Sequence, residues 1–95
     1  MEHDIDRIIA AVRSLHPDVI VVQMDKYHPA DDDGLWWFWI PDEDPHIHVE
    51  SSNYNCPFIV EHSGMKSSSE AIHANSVDEV VELVNSYLCF LKAKQ

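Results

Sequence analysis

The chain has 95 residues, with 17 acidic and 6 basic side chains and a net charge of −11 at pH 7. This charge argues against nucleic acid and anionic membrane as direct ligands and favours a cationic partner. The length indicates one domain, residues 1–95. No apolar stretch reaches the roughly 18 residues that span a bilayer, and the acidic N-terminus does not resemble a signal peptide, so we expect a soluble cytoplasmic protein.

The first predicted element is an amphipathic helix over residues 4–15. Its apolar side chains recur with the spacing of one helical face: Ile5, Ile8, Ile9, Val12 and Leu15. Asp4 is the predicted N-cap, and Pro17 ends the helix after His16. The apolar face of this helix therefore needs a sheet to cover.

The middle of the chain has the composition of β-strands. The predicted strands are residues 18–24, 35–40, 46–52 and 56–63, with a short fifth strand at 70–74. The third strand alternates, with Ile47 and Val49 on one face and polar side chains on the other. Short connections favour antiparallel pairing between consecutive strands.

A second helix begins after Ser76, which forms a predicted capping box with Glu79. Its apolar stripe consists of Val80, Val81, Val84, Leu88 and Leu91. Two helices of this length fill one face of a small sheet. We therefore predict an α+β fold, a two-layer sandwich in which an antiparallel sheet of four or five strands carries both helices on one face. The other face of the sheet is open.

The strand LWWFWI, residues 35–40, is apolar on both faces. Alternation gives each face three side chains: Leu35, Trp37 and Trp39 on one, and Trp36, Phe38 and Ile40 on the other. One triplet must lie on the open side, covered by the loop at 25–34, by a second copy or by a partner protein. Because Leu35 extends its face, we predict that Trp37 and Trp39 are core and that Trp36 and Phe38 face outward to bind a partner.

No Lys or Arg occurs between Lys26 and Lys66. The acidic residues in this interval are Asp31, Asp32, Asp33, Asp42, Glu43, Asp44, Glu50 and Glu61. Two solvated turns would explain the two Asp-rich triplets, but the missing basic residues favour recognition of a cationic surface. We predict that all eight bind the partner, with the triplets steering its approach and Glu50 and Glu61 contacting its basic residues.

The remaining chemistry favours a protein that is not an enzyme. The pattern His46-x-His48-x-Glu50 is typical of an exposed strand face, so we predict no metal site and no cofactor. Cys56 and Cys89 are predicted to be reduced, Cys56 as a structural residue in negative surroundings and Cys89 as core or near-core. Neither a glycine-rich phosphate loop nor a nucleophile elbow is present in the sequence.

Three segments carry a family resemblance: LWWFWIPDED, IHVESSNYNCPFIVEHS and SVDEVVELVNSYL. Together they cover about residues 35–90, and their layout resembles small immunity proteins of bacterial polymorphic toxin systems, including contact-dependent growth inhibition. The resemblance implies a cytoplasmic protein that binds and neutralises one cognate toxin domain, often a basic nuclease, without catalytic residues of its own. The alternative is an acidic adaptor or chaperone-like protein that binds partners as a homodimer.

Overall fold

The computed structural model describes residues 2–24, 34–43, 47–62 and 72–94. Every predicted element has a counterpart there. In chain order they are α1 (Asp4–Leu15), β1 (Ile20–Gln23), β2 (Leu35–Trp39), β3 (Ile47–Glu50), β4 (Phe58–His62), β5 (Ile72–Ala74) and α2 (Val77–Lys94). At the ends that the structure describes, β1 to β4 are shorter than predicted by one or two residues.

The strands form one antiparallel sheet in the order β1-β2-β3-β4-β5. Each strand pairs with the next strand in the chain, as the short connections predict. Both helices pack on one face of this sheet and against each other. The predicted α+β sandwich, with helices at the two ends of the chain and an antiparallel sheet between them, is confirmed.

The core lies between the helices and one face of the sheet. Its strand residues are Trp36, Phe38, Ile47, Val49, Phe58, Val60 and Ala74, and its helix residues are Ile5, Ile8, Val12, Val80, Val84, Leu88 and Leu91. Val19 and Ile40, which directly precede β1 and follow β2, complete it. The apolar stripes of the two helices thus pack against the apolar side chains on one face of the strands, as expected for amphipathic elements.

The prediction of which face of the aromatic strand is buried is wrong. Trp36 and Phe38 are 4% and 0% exposed beneath the helices, so neither side chain is available to a partner in the folded protein. Trp37 and Trp39 are half-buried on the opposite face. The pairing with β3 explains this, because Trp36 lies opposite Val49 and Phe38 lies opposite Ile47. Cross-strand partners share a face, and the apolar side of β3 faces the helices.

The helix caps also differ in detail from the prediction. His3, not Asp4, is the N-cap of α1, and its backbone N–H donates to the Asp6 carboxylate at 3.0 Å. The Asp4 carboxylate instead accepts a hydrogen bond from the backbone N–H of Cys56 at 3.0 Å. At α2, Ser76 Oγ accepts from the backbone N–H of Glu79 at 3.2 Å, as predicted.

Candidate functional site

The face of the sheet on which neither α1 nor α2 packs, which we call the open face, is the candidate site. Its side chains are half-buried or exposed, and the strand register places them together: Ile20, Val22, Leu35, Trp37, Trp39, His48, Glu50, Ile59, Glu61 and His73. The side of this face formed by β1 and β2 is apolar, whereas most of the side chains from β3 to β5 are polar. An apolar centre beside charged groups is the composition of a protein interface.

One row of the open face crosses four strands through Val22, Trp37, His48 and Glu61. The rings of Trp37 and His48 meet edge to face with centroids 4.7 Å apart. His48 Nε2 lies 3.9 Å from a carboxylate oxygen of Glu61. This distance is too long for a hydrogen bond but short enough for an ion pair when the imidazole is charged. His48 therefore contacts the Trp37 ring on one neighbouring strand and lies near the Glu61 carboxylate on the other.

The next row contains Leu35, Glu50, Ile59 and His73. Glu50 thus has an apolar side chain on each neighbouring strand. Within the described ranges, its carboxylate forms no hydrogen bond and no ion pair. A half-buried carboxylate in this position keeps its acceptor atoms for water or for a ligand.

The other acidic residues predicted to bind a partner are distributed differently. Asp42 is exposed and Glu43 is half-buried in the turn after β2. Asp42 has a φ of 71°, a left-handed conformation that Asp tolerates better than most residues, so its place in the turn also has a backbone reason. The predictions for Asp31, Asp32, Asp33 and Asp44 lie outside the described residues. Of the four predicted acidic residues that the structure describes, Glu50 and Glu61 are located on the open face.

Sequence reasoning missed the apolar half of this site. Trp37 and Trp39 were assigned to the core, and Ile20 and Val22 were not singled out. Val22 is 47% exposed and pairs with Trp37, and Ile20 pairs with Trp39. The alternation of β3 identifies the core side of β3 itself, but because β2 is apolar on both sides, only the register between the two strands decides which of its faces is buried.

The cysteine and histidine contacts do not form a catalytic arrangement. Burial and the Asp4 carboxylate raise the pKa of the Cys56 thiol, which keeps it a weak nucleophile. Cys89 is exposed, contrary to the prediction, and its Sγ lies 4.0 Å from His16 Nε2. The same Nε2 lies 2.6 Å from Asn85 Oδ1. A nucleophile and an orienting group must use different ring nitrogens, so these three residues do not form a relay.

No group of three or more His, Cys, Asp or Glu side chains in the described parts of the chain could hold a metal ion, and His46 lies outside them. None of the helices described here is long and apolar enough to cross a membrane.

Comparison with known proteins gives no relative: no protein-family model, no curated protein and no solved structure matches this chain. The basis for a functional proposal is therefore the open face and the charge of the chain itself.

Proposed function

We propose that this protein is a cytoplasmic immunity protein that binds a cognate toxin domain through the open face and neutralises it. The observation that carries the proposal is the pair of partly exposed tryptophans, Trp37 and Trp39, on a sheet face that neither α1 nor α2 covers. Tryptophan is among the residues that contribute most to binding when a partner desolvates them. A scaffold with an apolar recognition face fits a binding protein better than an enzyme.

Charge supports a basic partner. The chain carries −11, and Glu50 and Glu61 are located on the open face itself. Toxins that cleave nucleic acid carry basic surfaces because they contact phosphate groups, so a nuclease-type toxin domain is complementary to this protein. A second copy of the chain fits the face less well, since it would bring two equally acidic surfaces together. This disfavours the homodimeric adaptor.

The test uses a toxin domain encoded beside this gene in its native host. Co-expression should restore growth, and the purified proteins should form a complex. Trp37→Ala and Trp39→Ala should each weaken binding by about 2 kcal/mol, or about 30-fold in Kd, mainly through faster dissociation. Phe90→Ala is the matched control, because Phe90 is an exposed aromatic residue, 56% accessible, on the helix side. Unchanged affinity in both tryptophan variants would contradict the proposal.

Association kinetics test the role of charge separately. The association rate should fall steeply as salt concentration rises, because steering by exposed charges is screened. Reversal of Asp31, Asp32 and Asp33 to Lys should lower this rate by about tenfold if these residues face the approaching toxin. The protein alone should remain monomeric in light scattering at micromolar concentration. A salt-independent association rate would remove electrostatic steering from the proposal.

A further inference from the structure

We propose that a cleft at the edge of the open face binds one arginine side chain of the partner. This inference deepens the proposed function and rests on it for the source of the arginine. The cleft has a volume of about 400 Å³ and lies between the end of β3, the following loop and β5. Its walls include Glu50, Ser52, Asn53, Pro57, Ile59 and His73. A volume of this size is in the range of clefts that hold ligands.

The lining of the cleft matches the two parts of an arginine side chain. Pro57 and Ile59 offer apolar surface to the aliphatic stem. Glu50 offers a carboxylate that has no partner among the described residues, and Ser52 adds a hydroxyl oxygen. Guanidinium has five N–H donors in a planar fork that can bind a carboxylate through two bonds, whereas a lysine ammonium is a point charge. Several acceptors around one cleft therefore favour arginine over lysine.

The loop that forms one wall of the cleft is held in place before any ligand arrives. Ser51 is buried, and its hydroxyl donates to the backbone carbonyl of Asn55 at 2.6 Å. Asn55 Oδ1 in turn accepts from the backbone N–H of Asp4 at 2.9 Å, and the Asp4 carboxylate accepts from Cys56. These bonds attach the loop to the start of α1. A wall fixed in this way reduces the entropy lost on binding.

Glu61 provides the internal comparison. It occupies the same open face one strand away, yet His48 Nε2 lies 3.9 Å from its carboxylate. It does not line the cleft. Two glutamates with similar surroundings in the sequence thus differ in what they can offer a cationic ligand. Glu50 is the residue assigned to the arginine, and Glu61 is the matched control.

The experiment is an NMR titration of the isotope-labelled protein with N-acetyl-arginine amide at constant ionic strength. Shifts of backbone amides should concentrate at Ser52, Asn53 and Ile59. N-acetyl-citrulline amide, which has nearly the same shape without the charge, should give no saturable shift, and N-acetyl-lysine amide should bind more weakly. Glu50→Gln should raise the Kd for the arginine probe by about tenfold or more, while Glu61→Gln should change it by about twofold at most.

Several outcomes would overturn the assignment: equal shifts with the citrulline probe, equal affinity for the lysine probe, or equal effects of Glu50→Gln and Glu61→Gln. Shifts spread over acidic residues across the molecule would also overturn it. The arginine site and the proposed function fail separately. The Trp37→Ala variant should still bind the arginine probe even if it no longer binds the toxin. A protein that neutralises a toxin but does not bind the probe would disprove only the cleft.

Discussion

Alanine substitutions at Trp36 and Trp37 are expected to separate folding from binding. The two residues are adjacent in β2, have the same side chain and face opposite sides of the sheet. Trp36→Ala should destabilise the fold strongly and tell us nothing specific about recognition. Trp37→Ala should leave the fold largely intact and weaken the partner complex.

The magnitudes follow from burial and contacts. Trp36 is 4% exposed and packs edge to face on Tyr54 with ring centroids 5.1 Å apart, so its loss should cost about 3 to 5 kcal/mol. A chain of this length has a total stability of about 5 to 14 kcal/mol. Trp37 is half-buried and loses mainly its edge contact with His48, worth about 0.5 to 1.5 kcal/mol. We expect Trp37→Ala to cost less than about 2 kcal/mol.

Urea unfolding followed by circular dichroism measures both values, because this signal does not depend on the tryptophans that are removed. Trp36→Phe serves as a milder variant if Trp36→Ala does not fold, and it should still destabilise more than Trp37→Phe. Equal destabilisation by the two alanine substitutions would refute the reasoning. The face that contains Trp37 would then contribute to the core as much as the face beneath the helices.

Three further predictions concern the helices and the cysteines. In the native protein, Cys89 should react rapidly with a thiol reagent because it is exposed, and Cys56 should react slowly because its pKa is raised. The Cys89→Ser variant should lack the fast phase of the reaction. Asn85→Ala should lower the free energy of unfolding, measured in urea, by about 1 to 3 kcal/mol, because it removes the hydrogen-bond partner of the buried His16 Nε2. The hydrogen bond from the backbone of Cys56 lowers the pKa of Asp4 below its ordinary value of 3.8. The stability advantage over Asp4→Asn should therefore be complete well above pH 3.8 and decline as the pH falls through the lower folded-state pKa, which unfolding over a series of pH values from 7 downward would measure.

The fold could be predicted from the sequence because its signals are local. The stripe of α1, the capping pair Ser76 and Glu79, and the alternation of β3 each depend on residues close in the chain. The buried face of β2 could not be predicted from local signals, because this strand is apolar on both sides and has no alternation of its own. Only its register with β3 distinguishes Trp36 from Trp37, and the intervening turn has no sequence signature that fixes this register.

The cleft could not be predicted for a related reason. Its walls come from β3, the loop after it, and β5, so the cleft exists only when the whole sheet is assembled. In the sequence, Glu50 and Glu61 are equivalent, since each is a polar position in an alternating strand. The pairing that brings His48 to Glu61 and leaves Glu50 between Leu35 and Ile59 is a property of the folded sheet.

In the proposed function, the aromatic and acidic residues of the open face act together to select a partner. An exposed apolar sheet face invites unspecific association, including association between copies of the same chain. A neutral apolar surface placed on this face would bury the Glu50 carboxylate without compensation, and burying an unpaired carboxylate costs far more than the contact contributes. A basic surface supplies that compensation while it covers Trp37 and Trp39. Under this proposal, the carboxylates disfavour neutral partners, and the tryptophans stabilise the complex with a cationic one.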